Sequence, residues 1–174
     1  MKFTIIIIAT LTLLCVSCLE NNRFDLTKIP EPKAVLSEKP ENFSASEITY
    51  QAYVPVYSDL LLSHENHHIA LQGFVSIRNT DFQNPLLIEK ITYYNTNGKF
   101  IREHIDKPIY IKPFSSYNVI IKTNDLDGGS GAKFLINYKL ANSRPNHPLT
   151  EALFVGKFGT KAVSFSSRGV LLNN

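Results

Sequence analysis

The sequence predicts an all-β fold, an antiparallel β-sandwich of immunoglobulin-like type, and three observations carry that expectation. From Glu47 onward, short apolar runs alternate with clusters of Gly, Asn, Asp, Ser and Pro, at the spacing of sandwiches and barrels. Several of those runs are apolar at every second residue, the period of a strand with one buried face. No segment carries a helical face of comparable strength.

The 174-residue chain opens with Lys2, then an apolar run, then Cys15-Val16-Ser17-Cys18. A positive start, about a dozen apolar residues and small residues before a cysteine form the layout of an export signal, too short to span a bilayer. The ending resembles the lipobox of bacterial lipoproteins, with Cys15 where that pattern usually has leucine. The resemblance implies cleavage after residue 17 and lipidation of Cys18, hence a membrane-anchored protein of the cell envelope. Leu19 replaces the aspartate that marks inner-membrane retention in enteric bacteria, so the outer membrane is the expected site where that rule holds. With Cys15 removed and Cys18 alkylated, no thiol is left for a disulfide, metal or nucleophile.

Residues 18–46 are expected to be the lipidated cysteine and a flexible tether, since Pro30, Pro32 and Pro40 lie among mixed charges without an apolar period. Such a tether reaches about 30 Å on average. The β domain is expected over 47–174, with strands near 48–57, 68–78, 87–95, 99–105, 109–112, 116–122, 133–140, 151–157 and 162–167. In the second of these, Ile69, Leu71, Val75 and Ile77 fall on one side and Gln72, Ser76 and Arg78 on the other. Tyr117, Val119 and Ile121 alternate in the same way, as do Phe134, Ile136, Tyr138 and Leu140. Asn97-Gly98 predicts a hairpin, because both residues tolerate positive φ. Pro108 and Pro113 bracket 109–112 and predict a short edge strand.

Several phrases occur in a fixed order: Tyr53-Val54-Pro55-Val56-Tyr57-Ser58, Ser76-Ile77-Arg78-Asn79-Thr80-Asp81, Tyr93-Tyr94-Asn95-Thr96-Asn97-Gly98-Lys99 and Asp106-Lys107-Pro108. Gly128-Gly129-Ser130-Gly131-Ala132-Lys133-Phe134 and Ser164-Phe165-Ser166-Ser167-Arg168-Gly169 follow. Together they resemble the bacterial family known as domain of unknown function (DUF) 3124, over about residues 50 to 170. The resemblance implies an exported, often lipid-anchored protein and carries no functional residue with it.

Four motifs invite a chemical reading. His64-Glu65-Asn66-His67-His68 spells H-E-x-x-H, which on a helix holds zinc between two histidines and makes the glutamate a base. The pentad leads directly into the 68–78 strand, and in extended chain His64 and His68 stand about 13 Å apart, too far to share a metal. Gly129-Ser130-Gly131 suggests a nucleophile, with His147 as base and Glu151 as orienter, but a nucleophile elbow needs a helix after the serine and a strand follows here. The glycines of Gly128, Gly129, Ser130 and Gly131 instead favour unusual backbone angles and consecutive N–H groups offered to an anion, with Arg168 as a further ligand contact. Asp125-Leu126-Asp127-Gly128 begins like a calcium loop and then lacks its later oxygen ligands. Tyr94 and Tyr110 are candidate outward-facing contact residues.

Lys and Arg are interspersed with Asp and Glu and the formal net charge is only +3, so no nucleic-acid stripe is expected. The reading is a non-enzymatic, cofactor-free envelope module that binds a protein or glycan through loops or a sheet edge. It expects no buried cluster of perturbed titratable groups. The alternatives are a metal-dependent hydrolase built on His64, Glu65 and His68, or a small-ligand or anion binder built on the 128–131 loop.

Overall fold

Alternation of apolar side chains builds two sheets whose inner faces meet. The computed structural model describes residues 35–36, 38–41, 43–62, 67–141 and 146–172. Its strands are β1 (Val35–Leu36), β2 (Tyr50–Val56), β3 (Asp59–Leu62), β4 (His67–Arg78), β5 (Leu86–Tyr94) and β6 (Phe100–Glu103). They continue with β7 (Ile109–Ile111), β8 (Ser116–Ile121), β9 (Ala132–Lys139), β10 (Leu149–Phe158), β11 (Lys161–Arg168) and β12 (Val170–Leu172). There is no helix among the described residues. One sheet runs β1-β7-β5-β9-β2-β12, with β6 following β7 along the same side of β5. The other runs β11-β10-β4, and the far side of β4 is shared by β3 and β8. Every pairing is antiparallel. The result is the expected β-sandwich.

Its connectivity is more particular. β4, β5, β8 and β9 alternate between the sheets, with β4 beside β8 and β5 beside β9, as strands B, C, E and F do in an immunoglobulin domain. The flanking places are filled in exchange. β2, early in the chain, lies beside β9, and β10, late in the chain, lies beside β4.

The core follows the alternation read from the sequence. Ile69, Leu71, Val75 and Ile77 of β4 are buried, as are Phe134, Ile136 and Tyr138 of β9 and Ala52, Val54 and Val56 of β2. Tyr57 joins the sheets, meeting Phe154 and Phe165 edge to face with centroids 5.4 Å away in each case. Pro55 fits inside β2 because β12 pairs only as far as Tyr53, so no ladder on that side needs its missing N–H. Its carbonyl accepts instead from Ser167 Oγ at 2.6 Å.

In β5 the alternation breaks and is repaired. Ile88 pairs with Tyr138 and Lys90 with the next residue, Asn137, so Glu89 is an extra residue, a β-bulge. The bulge returns Ile91 and Tyr93 to the same buried face as Ile88. Glu89 itself is held by Thr49 Oγ1 at 3.1 Å and Lys139 Nζ at 3.5 Å.

The nine expected strands are present, and three more appear. β3 pairs with β4 from Asp59↔Ala70 to Leu62↔His67, so Leu60-Leu61-Leu62 extends as strand. β12 is exposed at each residue and joins the sheet through its backbone, which leaves no apolar period to read. β1 covers β7, so the expected edge strand at 109–112 is internal by one two-residue neighbour. The hairpin at Asn97-Gly98 forms with a different turn: Gly98 N donates to Asn95 O at 3.0 Å and only Gly98 takes positive φ, 77°. That is a three-residue loop with a glycine bulge, in place of two residues at positive φ. The segment expected as tether also contributes. Besides β1, Phe43 is buried with Leu87 and Ala141 and meets Tyr110 edge to face at 5.4 Å, and Ala45 bridges Ala141. The domain therefore begins before Glu47.

Candidate functional site

At one end of the sandwich, the 122–131 loop, the β5–β6 hairpin and the β2–β3 corner converge on the glycines read as an anion loop. A Cβ on Gly128 would stand 1.9 Å from the Tyr93 hydroxyl, and one on Gly129, whose φ is 73°, would stand 2.7 Å from Thr96 Oγ1. The glycines thus admit close packing. Two of their N–H groups are also engaged: Gly129 N donates to Ser58 Oγ at 2.8 Å and Gly131 N to Thr96 Oγ1 at 2.9 Å. Thr96 N and its hydroxyl donate in turn to Gly128 O, and Lys133 Nζ donates to Asn95 O at 2.7 Å. Arg168 is elsewhere, on the second sheet in register with Glu151.

Beneath this loop lies a half-buried polar group, of which the sequence singled out only Asp125, as the start of a calcium-like loop. Arg102 pairs with Asp125 and lies over the Tyr93 ring, 4.9 Å from its centroid. His104 meets Phe134 edge to face at 4.9 Å, and Phe134 stacks on Tyr93 at 4.8 Å. Burial first, and then the Asp125 carboxylate, push the Tyr93 phenol up to about 12; Ser58, lying close without a regular hydrogen bond, pulls part of it back. Burial first, and then the Arg102 charge, push His104 from 6.5 down to about 4, against the pull of Asp125. The expectation of no buried perturbed cluster does not hold. Both shifts nonetheless fix neutral forms, and neither group is poised near neutral pH to move a proton. The cluster ties loop to core.

The other motifs separate. His64 and Glu65 lie outside the described residues. His68 belongs to β4, opposite Leu61, so the helix that H-E-x-x-H requires is absent at its C-terminal member. Its Nδ1 lies 2.7 Å from Asp59 Oδ2. No group of three His, Cys, Asp or Glu able to hold a metal occurs among the described residues. Ser130 precedes β9, whereas His147 Nδ1 contacts the Tyr138 hydroxyl at 2.8 Å near the far end of that strand, roughly 20 Å away. The serine triad therefore does not assemble. Asp125, the first residue of the calcium-like phrase, is taken by Arg102. Cys18 lies outside the described residues.

Three surfaces are candidates for contact. On the outer face of the second sheet, Ile120, Phe74 and Leu153 stand side by side across β8, β4 and β10, and Val155 lies one row on. These four side chains are 38% to 50% exposed. Polar groups frame them: Asn118, Ser76 and Glu151 on the next row, with Glu151 paired to Arg78 at 3.2 Å, and Ser164 and Ser166 on β11. The outer face of this sheet thus carries an apolar patch in addition to its buried inner face.

At the opposite end from the glycine loop, Phe82 and Phe114 are 73% and 67% exposed and stack with centroids 4.2 Å apart. A buried amide fixes the turns that bear them. Asn79 Nδ2 donates to Asn84 O, Ile111 O and Lys112 O at 2.8, 3.2 and 3.1 Å. Asp81 Oδ1 accepts from Gln83 N and Asn84 N, and Phe114 N donates to Asp81 O at 2.8 Å. Phe114 has φ 51°, a left-handed angle that disfavours a bulky side chain.

The third surface is a shallow groove of both charge signs on the outer face of the first sheet, lined by Glu89, Lys90, Glu103, Asp106, Lys107 and Asn137. Of the two tyrosines singled out, Tyr94 faces outward beside Phe100 at 6.3 Å, and Tyr110 is partly covered by Phe43.

The sequence model of a family described as protein of unknown function (DUF3124) matches residues 49–172. No curated protein and no solved structure matches the chain.

Gly128→Ala forces the Tyr93 hydroxyl to move and is expected to cost about 3 kcal/mol in denaturant unfolding. Tyr93→Phe in the same chain recovers at least about 1 kcal/mol, because it deletes the oxygen that the new methyl meets. For His104, the unfolded chain gains a proton between pH 6.5 and about 4 that the folded chain refuses. Stability is therefore full above 6.5 and falls as pH drops toward 4. The melting temperature of the wild type should decline more steeply across that window than that of His104→Phe.

Proposed function

We propose, from the premise that this chain belongs to the DUF3124 family of proteins of unknown function, that it is a non-catalytic binding module held in the bacterial cell envelope by a lipid on Cys18. The observation that carries the binding role is the apolar row Ile120-Phe74-Leu153, with Val155, on the exposed face of the second sheet. Apolar side chains beside one another, rimmed by hydroxyls, an amide and an ion pair, have the composition of a protein–protein contact with an apolar centre and polar rim. They offer few donors or acceptors at their centre for a sugar. The partner is therefore a second envelope protein. The anchor reading rests on the Cys15-Val16-Ser17-Cys18 sequence and on the short apolar run before it.

Two measurements test this. Cells grown in labelled palmitate should label the wild type, and Cys18→Ala should carry none. Label persisting in that variant rejects the anchor. A photo-crosslinking residue at Val155, activated in intact cells, should give one discrete protein adduct. Leu153→Asp, at a half-exposed position that leaves the fold intact, should reduce that adduct about tenfold, equivalent to ~1.4 kcal/mol of binding. An adduct unchanged by Leu153→Asp, or an equal one from a crosslinker at Tyr94, would overturn the assignment of this face.

A further inference from the structure

We infer that the Phe82–Phe114 pair is a membrane-contact tip that seats this end of the domain in the lipid interface. The inference rests on the anchor proposed above and adds an orientation to it. It begins with the direction of β1. Val35 pairs with Ile111 and Leu36 with Tyr110, so the chain joins the domain from the end at which the turn after Ile111 stands. Phe114 lies in that turn, three residues past the partner of Val35, and Phe82 stacks on it. The lipid-bearing position, Cys18, precedes Val35 by only 17 positions, a length of chain that spans at most about 60 Å. The end at which the chain enters the domain at Val35 and the end that exposes two stacked phenyl rings are therefore the same.

The chemistry of the tip suits lipid. Both rings are purely hydrocarbon, both project from turns, and neither carries a polar atom to serve a sugar or a directional protein contact. Phenyl rings at an interface bury apolar surface among acyl chains while the backbone beneath keeps to the headgroups. The support is rigid in the way such a tip requires. Asn79 Nδ2 holds three carbonyls of the two turns, and Phe114 N is bonded to Asp81 O, so the rings are presented before any contact is made. A left-handed backbone at a bulky residue is unfavourable by itself, and here it aims Phe114 outward onto Phe82. The tether makes weak contact sufficient, because it holds the rings at high effective concentration over the bilayer.

Such seating would point the glycine loop and the β5–β6 hairpin away from the membrane, and it leaves the outer face of the second sheet standing upright for a partner. The two surfaces serve different occupants.

The chain contains no tryptophan, so one introduced indole reports its own surroundings. The chain from Cys18 onward keeps every strand and has Cys18 as its single thiol. Coupling that thiol to a maleimide lipid in phosphatidylcholine–phosphatidylglycerol vesicles reproduces the tether whether or not cells acylate the residue. Failure of the palmitate experiment and failure of this one are thus separate results. Phe82→Trp is compared with Phe100→Trp, which is exposed on β6 toward the opposite end. With brominated acyl chains, emission from the Phe82→Trp protein should fall at least about twofold and shift to the blue, while that from Phe100→Trp changes little. Adding Phe114→Ser to Phe82→Trp should abolish most of the quenching, with circular dichroism unchanged. No quenching in Phe82→Trp, or equal quenching in both single variants, overturns the inference.

Discussion

One surplus residue in β5 decides which way the second half of that strand faces. Side chains on a strand alternate, so a single slip exchanges core and solvent for everything beyond it. Glu89 supplies such a slip between Ile88 and Lys90, and with it Ile91 and Tyr93 return to the interior. The stack of Tyr93 on Phe134, the Arg102 guanidinium above it and the packing of Gly128 against its hydroxyl all follow from that return. β5 is also the strand that meets β9 on one side and β7 and β6 on the other. The fold at one end therefore depends on a residue near the middle.

The phrases whose order resembles the family serve the frame more than the exposed apolar patches. Asn79 and Asp81 knit two turns, Tyr93 and Gly128 fit against each other, and Ser167 ties β11 to β2. Gly169 makes the crossing between the sheets, where a Cβ would meet Thr150 Oγ1 at 2.0 Å. The exposed apolar residues Phe74, Ile120, Leu153, Val155, Phe82 and Phe114 stand outside those phrases.

Much of the sandwich was legible because half-buried strands repeat every second residue, as β4 and β9 do. β1 and β12 were not, since their pairing is a backbone matter with little side-chain pattern. The turn at Gly98 was placed correctly and its type was not, because tolerance of positive φ at Asn97 is not the same as its use. The outer apolar face had a signal that passed unused: Ala152-Leu153-Phe154-Val155 and Val119-Ile120-Ile121 are continuous apolar runs, and in an antiparallel strand such a run puts hydrocarbon on both faces. The buried cluster had none. His104 and Arg102 are ordinary residues in the sequence, Asp125 suggested only a calcium-like turn, and only the convergence of a hairpin with a distant loop brings them together. The glycines of the 128–131 loop were legible for their conformational freedom, but Ser58 and Thr96, which accept from Gly129 N and Gly131 N, are distant in sequence and gave no sign of it.

The two-residue ladder of β1 has a mechanical consequence. Tension arriving along the chain from its N-terminal side meets Val35 first, and its pairing with Ile111 is opened before that of Leu36 with Tyr110. Next in line come the buried ring of Phe43 and the single bridge from Ala45 to Ala141, and only then the seven pairings between β2 and β9. Load is shed in steps through fastenings that can reclose, so a pull on the chain is absorbed at the hem of the domain before it reaches the seam of the core.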